Sequence, residues 1–147
     1  MRRLEPYLLE PFVHIALDPE FATASYGVAP GQRIGTLPAD DINAVQAYLA
    51  QLVREHGLPR KALVVHQFLQ RMIPEPERVE AHDEVDLTIS MDGFGGPAIK
   101  LVHYRWYALA DYAEQPAIKL FYDWDTPLMQ PAEIQAFQVP SALIIYQ

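Results

Sequence analysis

Five short apolar runs punctuate the chain, and each ends on an acid, a histidine or an amide. They are Val13-His14-Ile15-Ala16-Leu17 into Asp18-Pro19-Glu20, Ala62-Leu63-Val64-Val65 into His66-Gln67, and Val85-Asp86-Leu87-Thr88-Ile89-Ser90-Met91 into Asp92-Gly93. Ile118-Lys119-Leu120-Phe121-Tyr122 into Asp123-Trp124-Asp125 and Ala142-Leu143-Ile144-Ile145 into Tyr146-Gln147 complete the set. Near-continuous apolar strands separated by helical segments predict an α/β fold with a parallel sheet. Parallel strands emit their C-terminal ends on one face, where sites are built. The recurrent polar ending therefore predicts a carboxylate-lined cleft at that face.

The segments between the runs support alternating β/α units. Residues 3–10 predict the end of a helix broken around Pro11, ahead of a first strand at about 13–18. Gly27, Pro30, Gly31, Gly35 and Pro38 make 21–37 a long loop, and long ordered loops often carry function. Ile42, Val45, Leu49, Leu52 and Val53 recur at helical spacing, predicting a helix from about Pro38 to His56 closed by Gly57. Strands follow at about 62–67, 85–92, 117–123 and 142–146. Pro74 and Pro76 predict a short, irregular crossover over 72–84. Pro97 opens a helix whose expected buried face is Ile99, Val102, Trp106 and Leu109, and Pro131 with Glu133 opens another that ends before Pro140. Residues 1–147 thus form a single β/α domain, without repeat or linker.

Two architectures compete: a partial TIM-barrel-like half with about five strands, and an open doubly wound sheet. Polarity within the strands favours the barrel. Asp86, Thr88, Ser90 and Asp92 alternate with Leu87, Ile89 and Met91, and Lys119, Phe121 and Asp123 alternate with Ile118, Leu120 and Tyr122. A doubly wound sheet carries helices on both faces and needs both apolar, whereas a barrel interior near a site tolerates small polar groups. A partial barrel leaves edges that must be paired or covered, which predicts a homodimer.

Charge and composition narrow the partners. Eleven Lys and Arg against 19 Asp and Glu leave a net charge of −8. With no basic run longer than two residues, nucleic acid and anionic membrane surfaces are poor partners. A cation or a small neutral polyhydroxylated ligand such as a saccharide fits better. No apolar stretch approaches the roughly 20 residues that insert across a bilayer. The absence of cysteine removes disulfides, thiolate catalysis and Cys-ligated zinc, and leaves the compartment open. Met1-Arg2-Arg3-Leu4-Glu5-Pro6 is not a signal peptide as it stands.

The stretches Ala16-Leu17-Asp18-Pro19-Glu20-Phe21, Leu63-Val64-Val65-His66-Gln67-Phe68, Met91-Asp92-Gly93-Phe94-Gly95-Gly96 and Lys119-Leu120-Phe121-Tyr122-Asp123-Trp124-Asp125-Thr126-Pro127 resemble the later strands of a bacterial TIM-barrel group. That group is similar to glycoside hydrolases and often occurs as uncharacterised exported lipoproteins. The resemblance spans nearly the whole chain but only the C-terminal part of the group's barrel. It implies a barrel fold and carbohydrate-directed activity.

Candidate residues follow from the strand ends. Asp92, Asp18 and Glu20 are the expected catalytic carboxylates, since a glycosidase needs two acids flanking the scissile bond. His66, Gln67, Asp123, Trp124 and Asp125 are the expected substrate-binding residues. An indole packs on pyranose C–H surfaces while flanking acids bond hydroxyls. Alternation lets only one of His66 and Gln67 point inward. Lys119 is expected to neutralise interior acids, and His103 and Tyr104 to lie on a helix as surface or packing residues. No cofactor is implied, although Asp18, Glu20, Asp92 and Asp123 around Mg²⁺ or Ca²⁺ would make a metal-dependent hydrolase. The leading expectation is a glycoside-hydrolase-like domain, and the third reading is a non-catalytic binding or assembly subunit.

Overall fold

The computed structural model describes residues 3–147. Helices α1 (Glu5–Leu8), α2 (Ala39–His56), α3 (Pro97–His103) and α4 (Pro131–Gln135) accompany strands β1 (Ile15–Leu17), β2 (Lys61–Gln67), β3 (Val85–Met91), β4 (Gln115–Leu120) and β5 (Leu143–Tyr146). The strands form one all-parallel sheet in the order β1-β2-β3-β4-β5, curled into a half-barrel. This order decides between the two architectures. Each right-handed crossover moves one place in the same direction, so every connecting helix falls on one face. A doubly wound sheet reverses its strand order at a switch point, and this sheet has no reversal.

The strand alternation has the polarity of a barrel wall. Leu63, Val65, Leu87 and Ile89 pack with Ile42, Leu49 and Leu52 of α2. Ile118 and Leu120 pack with Tyr104, Ala108 and Ile134. The opposite face carries Val64, His66, Thr88, Ser90 and Lys119. Leu49 is fully buried in the first cluster, and its truncation to Ala would cost about 2–5 kcal/mol. Among the described residues, no helix is long and apolar enough to cross a membrane.

Local chemistry sets the element ends. Gly57 closes α2 in the left-handed conformation, at φ 62°, with its N–H donating to the Val53 carbonyl. Strand β1 is shorter than the expected 13–18, because His14 leaves the ladder and accepts the Ala62 N–H on Nδ1 at 3.0 Å. Lys61, fully buried at the start of β2, donates to the carbonyls of Glu10 and Val13 and ties down the approach to β1. The 72–84 crossover is irregular, with short 3-10 turns at Gln70–Met72 and Pro76–Arg78. Helix α4 is a single capped turn, its Gln130 N–H donating to Glu133 Oε2, and it stops at Gln135.

The α3 region departs most from expectation. Ile99, Val102 and Trp106 are exposed, and the buried positions are Lys100, Tyr104 and Ala108. The apolar stripe at helical spacing lies on the outer surface, while a lysine faces the sheet. Lys100 is drawn inward by two strong acceptors, Asp125 Oδ2 and the Lys119 carbonyl, each at 2.7 Å. Beyond His103 the helix widens into a π-helical turn over Tyr104–Ala108.

Candidate functional site

At the C-terminal ends of the strands, a pocket of about 340 Å³ is lined by Asp18, Glu20, Asp92 and Lys119, with Phe21, Phe68, Phe94, Phe121 and Gln147. It draws residues from the ends of all five strands and from the loops that follow. Asp18 ends β1 and caps a 3-10 turn over Pro19–Phe21, its Oδ1 accepting the Glu20 N–H at 3.1 Å. That turn sets Glu20 on the pocket wall. Asp92 continues β3 by one residue, its N–H donating to the Gln67 carbonyl.

Asp92 is the electrostatic centre. Lys119 Nζ lies 3.1 Å from its Oδ1, and His66 Nδ1 lies 3.4 Å from its Oδ2. Both approaches are ion-pair contacts. Ser90 Oγ is buried on the same face of the sheet. The Lys119 ammonium also stands 5.0 Å from the Phe121 ring centroid, a cation–π distance.

Burial moves the titrations of these groups. It pushes the Asp92 carboxyl above its ordinary 3.8, against the opposing pull of His66 and Lys119. Glu20 is raised above its ordinary 4.5 first by burial, then by repulsion from Asp18 and Asp92. His66 is lowered from 6.5 by burial, which outweighs the attraction of Asp92. The pocket thus holds two carboxyls of increased basicity beside a histidine disposed to stay neutral.

The expected binding residues divide. His66 faces the pocket side and Gln67 the opposite side, where its Oε1 accepts the Tyr112 hydroxyl at 2.6 Å. Strand β4 ends at Leu120 rather than near 123, because the chain turns there, with the Asp125 N–H donating to the Phe121 carbonyl. Asp123 is therefore on an exposed turn and not on the pocket wall. Trp124 is also exposed and packs against Phe94, with ring centroids 5.6 Å apart, at the pocket's outer edge.

Asp125 is a buried clamp rather than a ligand contact. Its Oδ1 accepts the Gly95 N–H at 2.7 Å, and its Oδ2 accepts the Phe121 N–H at 2.9 Å and pairs with Lys100. Gly95 sits at φ 142°, a backbone that side chains rarely adopt, which lets the glycine loop reach this carboxylate. The four-acid metal constellation is not assembled. Asp123 is not among the pocket-lining residues, and among the described residues no group of three or more His, Asp or Glu is arranged to hold a metal ion.

Two parts of the site escaped sequence reasoning. The phenylalanine lining had a signal only at Phe121, through its alternation with Lys119. Lys100 had none, since it lies in an apolar helical stretch. Comparison with family models, curated proteins and solved structures yields no match.

Proposed function

We propose that the strand-end pocket is an acid–base site for a neutral polyhydroxylated substrate, working as a glycoside hydrolase does. The observation that carries the reading is Asp92, buried and ion-paired with Lys119 and His66, opening on the same pocket as Glu20. Glycoside cleavage needs one carboxyl to protonate the leaving oxygen and another to activate water or attack the anomeric carbon. Glu20, its pKa raised first by burial and then by its acidic neighbours, is the proton donor. Asp92 is its partner, and the Lys119 charge favours the carboxylate state. The phenylalanine walls suit the C–H faces of a sugar ring.

Turnover of a panel of neutral aryl glycosides and oligosaccharides tests this directly. Glu20→Gln and Asp92→Asn are each expected to lower kcat by about 10²–10⁴-fold with the circular dichroism spectrum retained. Absence of turnover across the panel, or turnover by either variant undiminished from that of the native chain, would refute it. The free edges at β1 and β5 support self-association, and solution mass tests that point.

A further inference from the structure

A second hollow, of about 460 Å³, is lined by Gln67, Gln70, Pro76, Trp106, Tyr107 and Tyr112. None of these carries a formal charge at neutral pH, so the chemistry differs wholly from that of the acid pocket. The two meet at the end of β2, where His66 faces one and Gln67 the other. From this aromatic hollow we infer a binding site for a neutral oligosaccharide, separate from the acid pocket and independent of the reaction proposed there.

The π-helical turn builds the wall. A π-turn inserts a residue into the helical register, and such bulges are common at functional sites. Here it carries Trp106 and Tyr107. The indole is 63% exposed, a costly placement for a side chain that the chain could have buried. It is held rigidly, stacked on His103 at 5.5 Å with a 31° tilt and edge-on to Tyr107. A pre-set aromatic face loses little freedom on binding.

The polar groups select the ligand class. The hydroxyl hydrogen of Tyr112 is committed to Gln67 Oε1, so that oxygen offers lone pairs to a ligand. The exposed amide of Gln70 both donates and accepts. A sugar, with an apolar C–H face ringed by hydroxyls that donate and accept, uses all of these groups. A proline-rich peptide also packs on aromatics, but its imide backbone only accepts and leaves the acceptors here unmatched. Two further hollows, of about 490 and 470 Å³, share Pro76 with this one, the first through Tyr112 and the second through Gln70. Hollows adjoining the aromatic one leave room for more than one ring.

The chain has two tryptophans, which makes the test specific. In Trp124→Phe protein, Trp106 is the sole indole, and its emission is followed against hexasaccharides of neutral β-linked glucose, xylose, mannose and N-acetylglucosamine, with a proline decapeptide alongside. A saturable shift is expected with at least one hexasaccharide. By calorimetry on the otherwise native chain, Trp106→Ala and Gln70→Ala are expected to weaken that ligand, the former by about tenfold or more. Asp92→Asn should leave this affinity unchanged. Absence of a saturable response to any sugar, or a response to the peptide alone, would overturn the inference. A response confined to Trp124 in Trp106→Phe protein would also overturn it while supporting a sugar at the acid pocket, so the two readings fail separately.

Discussion

The buried pair between Lys100 and Asp125 offers the sharpest test of the architecture around the site. Both side chains are 1% exposed, and the ammonium stands 2.7 Å from Oδ2. Lys100→Met keeps the length of the side chain and removes its charge. Asp125 then loses its counter-charge and the Lys119 carbonyl loses a donor, while the two backbone N–H bonds to Asp125 survive. Breaking one partner of a buried pair costs about 3–5 kcal/mol. Asp125→Ala goes further, because it also strands the N–H groups of Gly95 and Phe121, and lies at the upper end of that range or beyond. Against a total stability of roughly 5–15 kcal/mol, either change removes a large share. At about 2–4 °C per kcal/mol for a chain of this size, a 4 kcal/mol loss lowers Tm by about 8–16 °C.

Urea unfolding followed by circular dichroism would measure these losses. A double-mutant cycle of Lys100→Met with Asp125→Asn would isolate the coupling, with the double variant recovering much of the loss. Single costs below about 1 kcal/mol with additive effects would rule out a buried, coupled pair, because that is how an exposed, solvated pair behaves. The glycine loop and the end of β4 both hang on this clamp. Variants that fold should therefore also lose activity at the neighbouring pocket.

Titration should leave a signature in stability. His66 has a lowered folded pKa, so the stability tied to its neutral form is complete above 6.5 and is lost as pH falls through the folded value; His66→Gln should flatten that acid-side decline in Tm. Asp92 and Glu20 have raised folded values, so their contribution has the opposite sign, present at low pH and lost as pH rises out of the ordinary carboxylate range. Asp92→Asn should therefore raise Tm at neutral pH relative to acid pH, and a fall would contradict the burial assigned to it. A Cβ at Gly35 would collide with the backbone carbonyls of Pro19 and Ala22, and the Gly35 N–H holds the Glu20 carbonyl at 2.8 Å. Gly35→Ala should cost about 1–3 kcal/mol in chemical denaturation and displace Glu20, whereas a neutral effect would mean the loop yields freely. Tyr112→Phe leaves Gln67 Oε1 without its hydroxyl donor and should cost about 1–3 kcal/mol by the same assay.

Read along the chain alone, the residues already carried the α/β class, five parallel strands near their observed places, and helix α2 almost to the residue. These rest on local information: period-2 polarity in β3, helical spacing from Ile42 to Val53, and Gly57 as a terminator. The same reading singled out Asp18, Glu20 and Asp92, because strand-end acids reach a common face whatever the details of packing. The choice between half-barrel and doubly wound sheet waited on strand order, which is a property of pairing and not of any one strand. Tertiary packing alone moved Asp125 from ligand contact to clamp and put Lys100 inside. Both positions depend on partners 25 residues apart in the chain, and an apolar period cannot register an ion pair that pulls a lysine inward. The aromatic hollow was illegible for the same reason: Gln67 and Gln70 lie far in sequence from Trp106, Tyr107 and Tyr112, and the two groups become neighbours only when the crossovers fold onto the sheet.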